Sequence, residues 1–240
     1  MDAAPQASAS RKIGVVTGLA SEMKIASLLL ADMAAEVDVV CAGASAERAA
    51  ALSRELIAAG CQGLLSFGIA GALAPDLDGG DLVVAHGLRD AEGKDHTADA
   101  AWRSALTAQM DENFLHYREG SILGSARPLM NAADKADAFA ESGCLAVDME
   151  SAAMAVEAVK SGLPFLAVRA IADRAGDDLP TLVENAVRPD GRPAVGRVLA
   201  ALLKRPGDLP ATLRLARQSE LALARLRMLD GVKEVLFGRF

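Results

Sequence analysis

The chain has 240 residues, 52% of them apolar, so it holds enough hydrophobic material for one sizeable core, and whole-chain disorder is excluded. Its 25 Lys and Arg against 32 Asp and Glu give a net charge of −7, the wrong sign for neutralising many nucleic-acid phosphates, and no nucleic-acid partner is expected. Cys41, Cys61 and Cys144 lie far from any metal-clamping or redox spacing and read as small buried hydrophobes of a cytoplasmic protein.

Residues 1–10 have no apolar stretch behind a positive end and read as a loose, disordered tail. Lys12 to Thr17 is a β-branched run ending at Gly18, and apolar residues at helical spacing follow from Ser21 to Met33, which predicts strand, tight turn, helix. Val37 to Ala42 predicts a second strand. Ser45 then caps an alanine-rich helix from about Ala46 to Ala59. Leu56 to Pro75 carries no charge over the length of a bilayer span, yet its glycines, Gln62 and Ser66 fit a helix end followed by a buried parallel strand. Gly63 to Phe67 is that third strand, and Gly68-Ile69-Ala70-Gly71 is expected as a loop behind it.

Asp81 to Ala85 predicts a fourth strand, and the polar stretch from about 88 to 120 reads as an insertion of loop and helix. Ser121 to Gly124 is a further short strand. Leu145 to Asp148 leads into a helix over Ser151 to Ser161, and Phe165 to Ile171 is the last clear strand. Strands alternating with helices predict a single α/β domain over 11–196, with a mostly parallel central sheet flanked by helices. Residues 197–240 carry nine Lys and Arg against four Asp and Glu, and leucines alternate with arginines from Leu213 to Leu229. That basic amphipathic helical extension fits a helix docked on the body or on a second subunit, or one that lies peripherally on the inner membrane.

Ligands on such sheets sit at the carboxyl ends of the strands. There the sequence places Glu22, the pair Met149 and Glu150, and Asp173. Three acids converging on one edge without basic partners call for a ligand or shifted pKa values. Two glycines at Gly68 and Gly71 allow close backbone approach, but neither the dinucleotide fingerprint nor the P-loop occurs, and no cofactor or metal is called for.

Four stretches, KIGVVTGLASEM, SFGIAGALAPDLDGGDLVV, AVDMESAAMA and VRAIAD, resemble the nucleoside phosphorylase and nucleosidase superfamily in order and spacing across about residues 12–178. The branch they resemble contains methylthioadenosine/S-adenosylhomocysteine nucleosidases, and SFGIAG with AVDMES is similar to the hopanoid-associated phosphorylase subgroup, which removes adenine from adenosylhopane. The resemblance implies that Asp173 protonates N7 of a purine, that Glu22 activates the attacking water, and that Glu150 holds the ribose hydroxyls with Met149 packed on the sugar. Phe67, Gly68 and Ile69 are the further substrate-binding residues. An apolar Phe67 and Ile69 suit a greasy 5′ substituent.

Phosphorolytic relatives hold phosphate with an arginine and a serine where this chain has Ser66 and Ile69, and Glu22 would repel an anion by a few kcal/mol at an effective dielectric of about 20. Backbone amides or Arg127 are the phosphate donors left. The expected function is a purine nucleosidase acting with water on a 5′-modified adenosine, adenosylhopane first. The alternatives are a methylthioadenosine/S-adenosylhomocysteine nucleosidase, a phosphate-dependent phosphorylase, or a nucleoside-binding protein without turnover. By similarity to its relatives the chain is expected to be a homo-oligomer.

Overall fold

The computed structural model describes residues 11–34 and 36–238; the tail read over 1–10 lies outside them. Eight strands form one sheet: β1 (Ile13–Thr17), β2 (Val37–Cys41), β3 (Gly63–Ala72), β4 (Leu82–Arg89), β5 (Asp95–Thr97), β6 (Tyr117–Gly124), β7 (Ala146–Asp148) and β8 (Phe165–Asp173). The helices are α1 (Ala20–Leu29), α2 (Ala46–Ala58), α3 (Ala100–Glu112), α4 (Ala132–Ser142), α5 (Ser151–Lys160), α6 (Val195–Lys204), α7 (Leu209–Arg227) and the short α8 (Lys233–Leu236). A 3₁₀ turn spans Thr181–Asn185.

The sheet is mixed. β3 pairs in parallel with β1 and β8 and antiparallel with β7, while β8 turns its other edge antiparallel to β4. β4 pairs with β6 and β6 with β7, both in parallel, so β3, β8, β4, β6 and β7 close on themselves as a ring. Closure satisfies the edges that an open sheet leaves bare. β1 and β2 extend the sheet from the first half of β3, and β5 makes a hairpin with β4.

Gly68 to Gly71 is not a loop. It is the second half of β3, whose pairing with β8 shifts register only between Ala70 and Gly71. β8 likewise runs two residues past the predicted end, so Asp173 is its last residue. The uncharged run Leu56 to Pro75 is the end of α2 and all of β3, and among the described residues no helix is long and apolar enough to cross a membrane.

α4 is the helix the strand–helix reading leaves out. Asn131 caps it by accepting from the Asp134 amide, and Gly143 ends it at φ 66°, the left-handed region that glycine tolerates. The far end of the chain is part of the body. Leu226, Leu229, Val232, Leu236 and Phe237 are buried in the same cluster as Ile13, Leu65 and Val168 of the sheet. Cys61 and Cys144 are buried and Cys41 half-buried, all as free thiols.

Candidate active site

The carboxyl ends of β1, β3, β7 and β8 open onto one cavity of about 290 Å³, whose lining includes Glu22, Glu150 and Asp173. All three acids are buried, and each carboxylate lies against a glycine. A Cβ on Gly68 would stand 2.6 Å from Glu22 Cδ, one on Gly18 2.7 Å from Glu150 Oε1, and one on Gly71 3.1 Å from Asp173 Oδ2. The glycines of β3 and of the first turn therefore make room for side-chain carboxylates.

Glu22 lies in the first turn of α1, where Leu19 has no side chain able to cap the helix. Its own carboxylate does so instead. Oε2 accepts from the amides of Gly18 at 2.8 Å and Leu19 at 2.7 Å, and Oε1 accepts from the amide of Ile69 at 2.8 Å. Burial pushes its pKa up, while Arg169 and these three amides pull it down. With Oε2 doubly engaged, Oε1 keeps one lone pair for a further donor.

Asp173 is gripped by a lysine the sequence reading did not single out. Lys135 of α4 is buried, and its Nζ donates to Asp173 Oδ2 at 2.6 Å, to the Arg174 carbonyl at 2.9 Å and to the Asp177 carbonyl at 2.8 Å. All three ammonium protons are thereby used. Burial raises the Asp173 pKa and Lys135 works against that rise.

Glu150 opens α5, next to a second unforeseen network. Arg169 of β8 donates through Nε to Asp148 Oδ2 at 2.6 Å and through Nη2 to the hydroxyls of Ser66 at 2.7 Å and Ser151 at 3.0 Å. The Ser151 hydroxyl also bonds Asp148, and Asp148 Oδ1 accepts from the amides of Glu150 and Ser151. Glu150 Oε2 is 3.8 Å from Arg169 Nη2, too far for a hydrogen bond. Burial first, then the charges of Asp148 and Glu22, push the Glu150 pKa up to about 8 against the pull of Arg169. Arg169 Nη1 is buried without a hydrogen-bond partner among the described residues, so one donor of this network is unspent.

Met149 and Ile69 line the cavity. Phe67 does not. It is fully buried in the core, its ring 6.3 Å from that of Phe237, because both faces of β3 are covered and Phe67 turns to the face packed by the C-terminal helices. Gly68 serves the site through its missing side chain, beside Glu22. Arg169 and Lys135 were hidden for different reasons. One sits in an apolar strand where a buried arginine is itself the signal. The other lies on a helix that only its Asn131 and Gly143 punctuation announces.

Most of the remaining lining is apolar. Leu179, Leu182, Val183 and Val187 of the segment after β8, with Pro128 and Leu129, form one wall, and Leu215 and Ser219 of α7 complete it. The Gly191 carbonyl accepts from the Ala20 amide at 3.0 Å and ties this segment to the start of α1. Arg127 lines the mouth and is exposed. Among the described residues no cluster of His, Cys, Asp and Glu is arranged to hold a metal ion.

Residues 33–204 match the phosphorylase superfamily. No curated protein matches the chain by sequence. Solved structures do match by fold. An S-adenosylhomocysteine nucleosidase from Streptococcus pyogenes, in complex with 5-methylthiotubericidin, superposes with TM-score 0.71 at 20% identity, covering 95% of this chain and 97% of its own. Futalosine hydrolase of Helicobacter pylori gives 0.69 at 19%, covering 93% and 98%. The 5′-methylthioadenosine/S-adenosylhomocysteine nucleosidase of Campylobacter jejuni gives 0.65 at 18%, covering 92% and 100%. At these identities the likeness is one of fold.

Proposed function

This chain belongs to the phosphorylase superfamily, enzymes that cleave N-glycosidic bonds, and from that premise we propose that it is a purine nucleosidase releasing adenine from an adenosine with an apolar 5′ substituent, such as adenosylhopane. The observation that carries the reading is the meeting of Glu22, Glu150 and Asp173 in one cavity whose remaining wall is aliphatic.

Breaking the bond sends its electron pair into the base and leaves positive charge at C1′. Asp173, with its pKa raised by burial, delivers a proton to N7 as that charge builds. Lys135 positions the carboxyl and limits how far its pKa climbs. Glu150 accepts from the ribose hydroxyls, with Met149 against the sugar. Water held at the free lone pair of Glu22 Oε1 attacks C1′ and gives its proton to that carboxylate. Each proton-transfer step contributes roughly 10²- to 10⁴-fold.

Water is favoured over phosphate because the cavity offers an anion little. Ser66 is locked into the Arg169 network, Ile69 has no side-chain donor, and the Lys135 protons are spent. Arg127 is the remaining cation of the lining and lies at its mouth. The names of the structural neighbours keep methylthioadenosine and S-adenosylhomocysteine as a second reading, but the aliphatic wall suits the charged amino-acid tail of the latter poorly. Homo-oligomerisation is part of the same proposal.

A panel of 5′-substituted adenosines, analysed by mass spectrometry with and without phosphate, tests this. Adenine and a free sugar are expected in both conditions, with preference rising as the 5′ group becomes more apolar. A sugar 1-phosphate would identify phosphate as the nucleophile, and binding without product would make the protein a nucleoside-binding module.

A further inference from the structure

We propose that the outward faces of α6 and the first half of α7 form a docking surface for anionic lipid. In α6, Val195, Leu199 and Leu203 recur every fourth residue on one face and are 61%, 57% and 86% exposed. Leu209 and Leu213 at the start of α7, beyond the turn at Pro206–Asp208, are also exposed. A helix packed on a protein has one apolar stripe and turns it inward. α7 already has such a stripe in Leu215, Ala222 and Leu226, directed at the cavity and the core. Its outward leucines are surplus to folding, and contiguous exposed apolar residues mark interaction sites.

The charge balance of the same segment chooses the occupant. Residues 195–217 hold Arg197, Lys204, Arg205, Arg214 and Arg217 against the single acid Asp208, in a chain of net charge −7. Arg197, Lys204 and Arg217 make no ion pair among the described residues. Arg205 donates to the Thr181 hydroxyl, and Arg214 lies 3.5 Å from Asp177. On α6 the cations Arg197 and Lys204 lie across the helix from the leucines, the division of apolar and basic faces found in helices that lie on anionic bilayers. An anionic bilayer takes up both the leucines and the cations and repels the acidic remainder of the chain, which fixes the orientation.

The surface adjoins the cavity. Leu182 lines the catalytic cavity and also a hollow shared with Arg197, Ala201 and Lys204 of α6, while α7 supplies Leu215 to the cavity wall. An apolar substituent could pass from bilayer to cavity along aliphatic side chains. That consequence rests on the proposed activity; docking itself does not.

The test is cosedimentation of the full-length protein with phosphatidylcholine vesicles and with phosphatidylcholine–phosphatidylglycerol vesicles, over a salt series. Binding is expected only with phosphatidylglycerol and should weaken with salt. Arg197→Gln and Arg217→Gln should each reduce affinity about fivefold. A Leu199→Glu/Leu203→Glu variant, with melting and hydrolysis of a soluble nucleoside unchanged, should no longer pellet. Absence of binding to phosphatidylglycerol, or equal pelleting of that variant, would overturn the proposal. So would a fall in the variant's mass by light scattering without lipid, which would assign the face to a second copy. If the wild type binds vesicles but hydrolyses no nucleoside, docking stands and the proposed activity falls.

Discussion

At the floor of the cavity Glu22, Glu150 and Asp173 are each seated at a strand end or first helical turn, against a glycine, with fixed donors or charges close by. Glu22 takes three backbone amides, Asp173 takes Lys135, and Glu150 lies near Arg169. The rim is built from Leu179 to Val187 and from one side of α7, and it presents aliphatic side chains with few fixed donors. The floor holds its carboxylates by fixed donors. The rim can only sort substrates by shape and polarity. On the proposed activity the floor carries the chemistry and the rim the specificity, and substitutions in the two regions should fail in different kinetic parameters.

The largest departure is expected on the floor. Gly68→Ala forces a methyl group into the Glu22 carboxylate, and a displacement of that kind costs about 10²-fold in kcat. Steady-state kinetics with KM near the wild-type value would confirm it, and an unchanged kcat would show that the Glu22 position is not critical. On the rim, Leu215→Ala removes part of the aliphatic wall and should raise KM for an apolar 5′-substituted adenosine about tenfold, with kcat preserved. A fall in kcat instead would erase the distinction between the regions.

Lys135→Met sharpens the account of the floor itself. Lys135 opposes the burial that raises the Asp173 pKa, so its loss should raise that pKa further. If Asp173 acts as an acid, activity is lost as pH rises through this pKa, and the basic limb of kcat against pH should move to higher pH. A limb that stays in place while kcat falls would reduce Lys135 to a packing role.

A further expectation concerns stability. Glu150 has its folded pKa raised from an ordinary carboxyl value to about 8, so the protonated form is favoured on folding. The associated stability is present below the unfolded pKa and is lost as pH rises towards the folded one. Between about pH 5 and 8 the wild type should lose melting temperature relative to Glu150→Gln, measured by calorimetry across that window. Parallel curves would mean that Glu150 is not held protonated.

Much of the floor was legible in the sequence, because strand-terminal acids follow β-branched runs and their spacing is distinctive. Glu22, Glu150 and Asp173 could be picked out that way, Met149 only through the family resemblance, and all four line one cavity. The ring closure was not legible. The antiparallel pairings of β8 with β4 and of β7 with β3 join segments far apart in the chain, and no local pattern encodes them. Glycines at 68 and 71 imitate a loop, although they are strand residues whose missing side chains accommodate carboxylates. Phe67 looked available to a ligand because a strand buried on both faces has no polar alternation to say which side meets the core. The basic C-terminal stretch divides its leucines between the core, where Leu226 and Leu229 lie, and the surface, where Leu213 and Leu221 lie.

Asp173→Asn, assayed for adenine release and for binding of an adenine nucleoside side by side, tests the central claim most directly. The account predicts kcat lower by roughly 10²- to 10⁴-fold, with affinity within a few-fold of wild type. Turnover equal to wild type would contradict it, because the buried carboxyl held by Lys135 would then have no part in breaking the glycosidic bond.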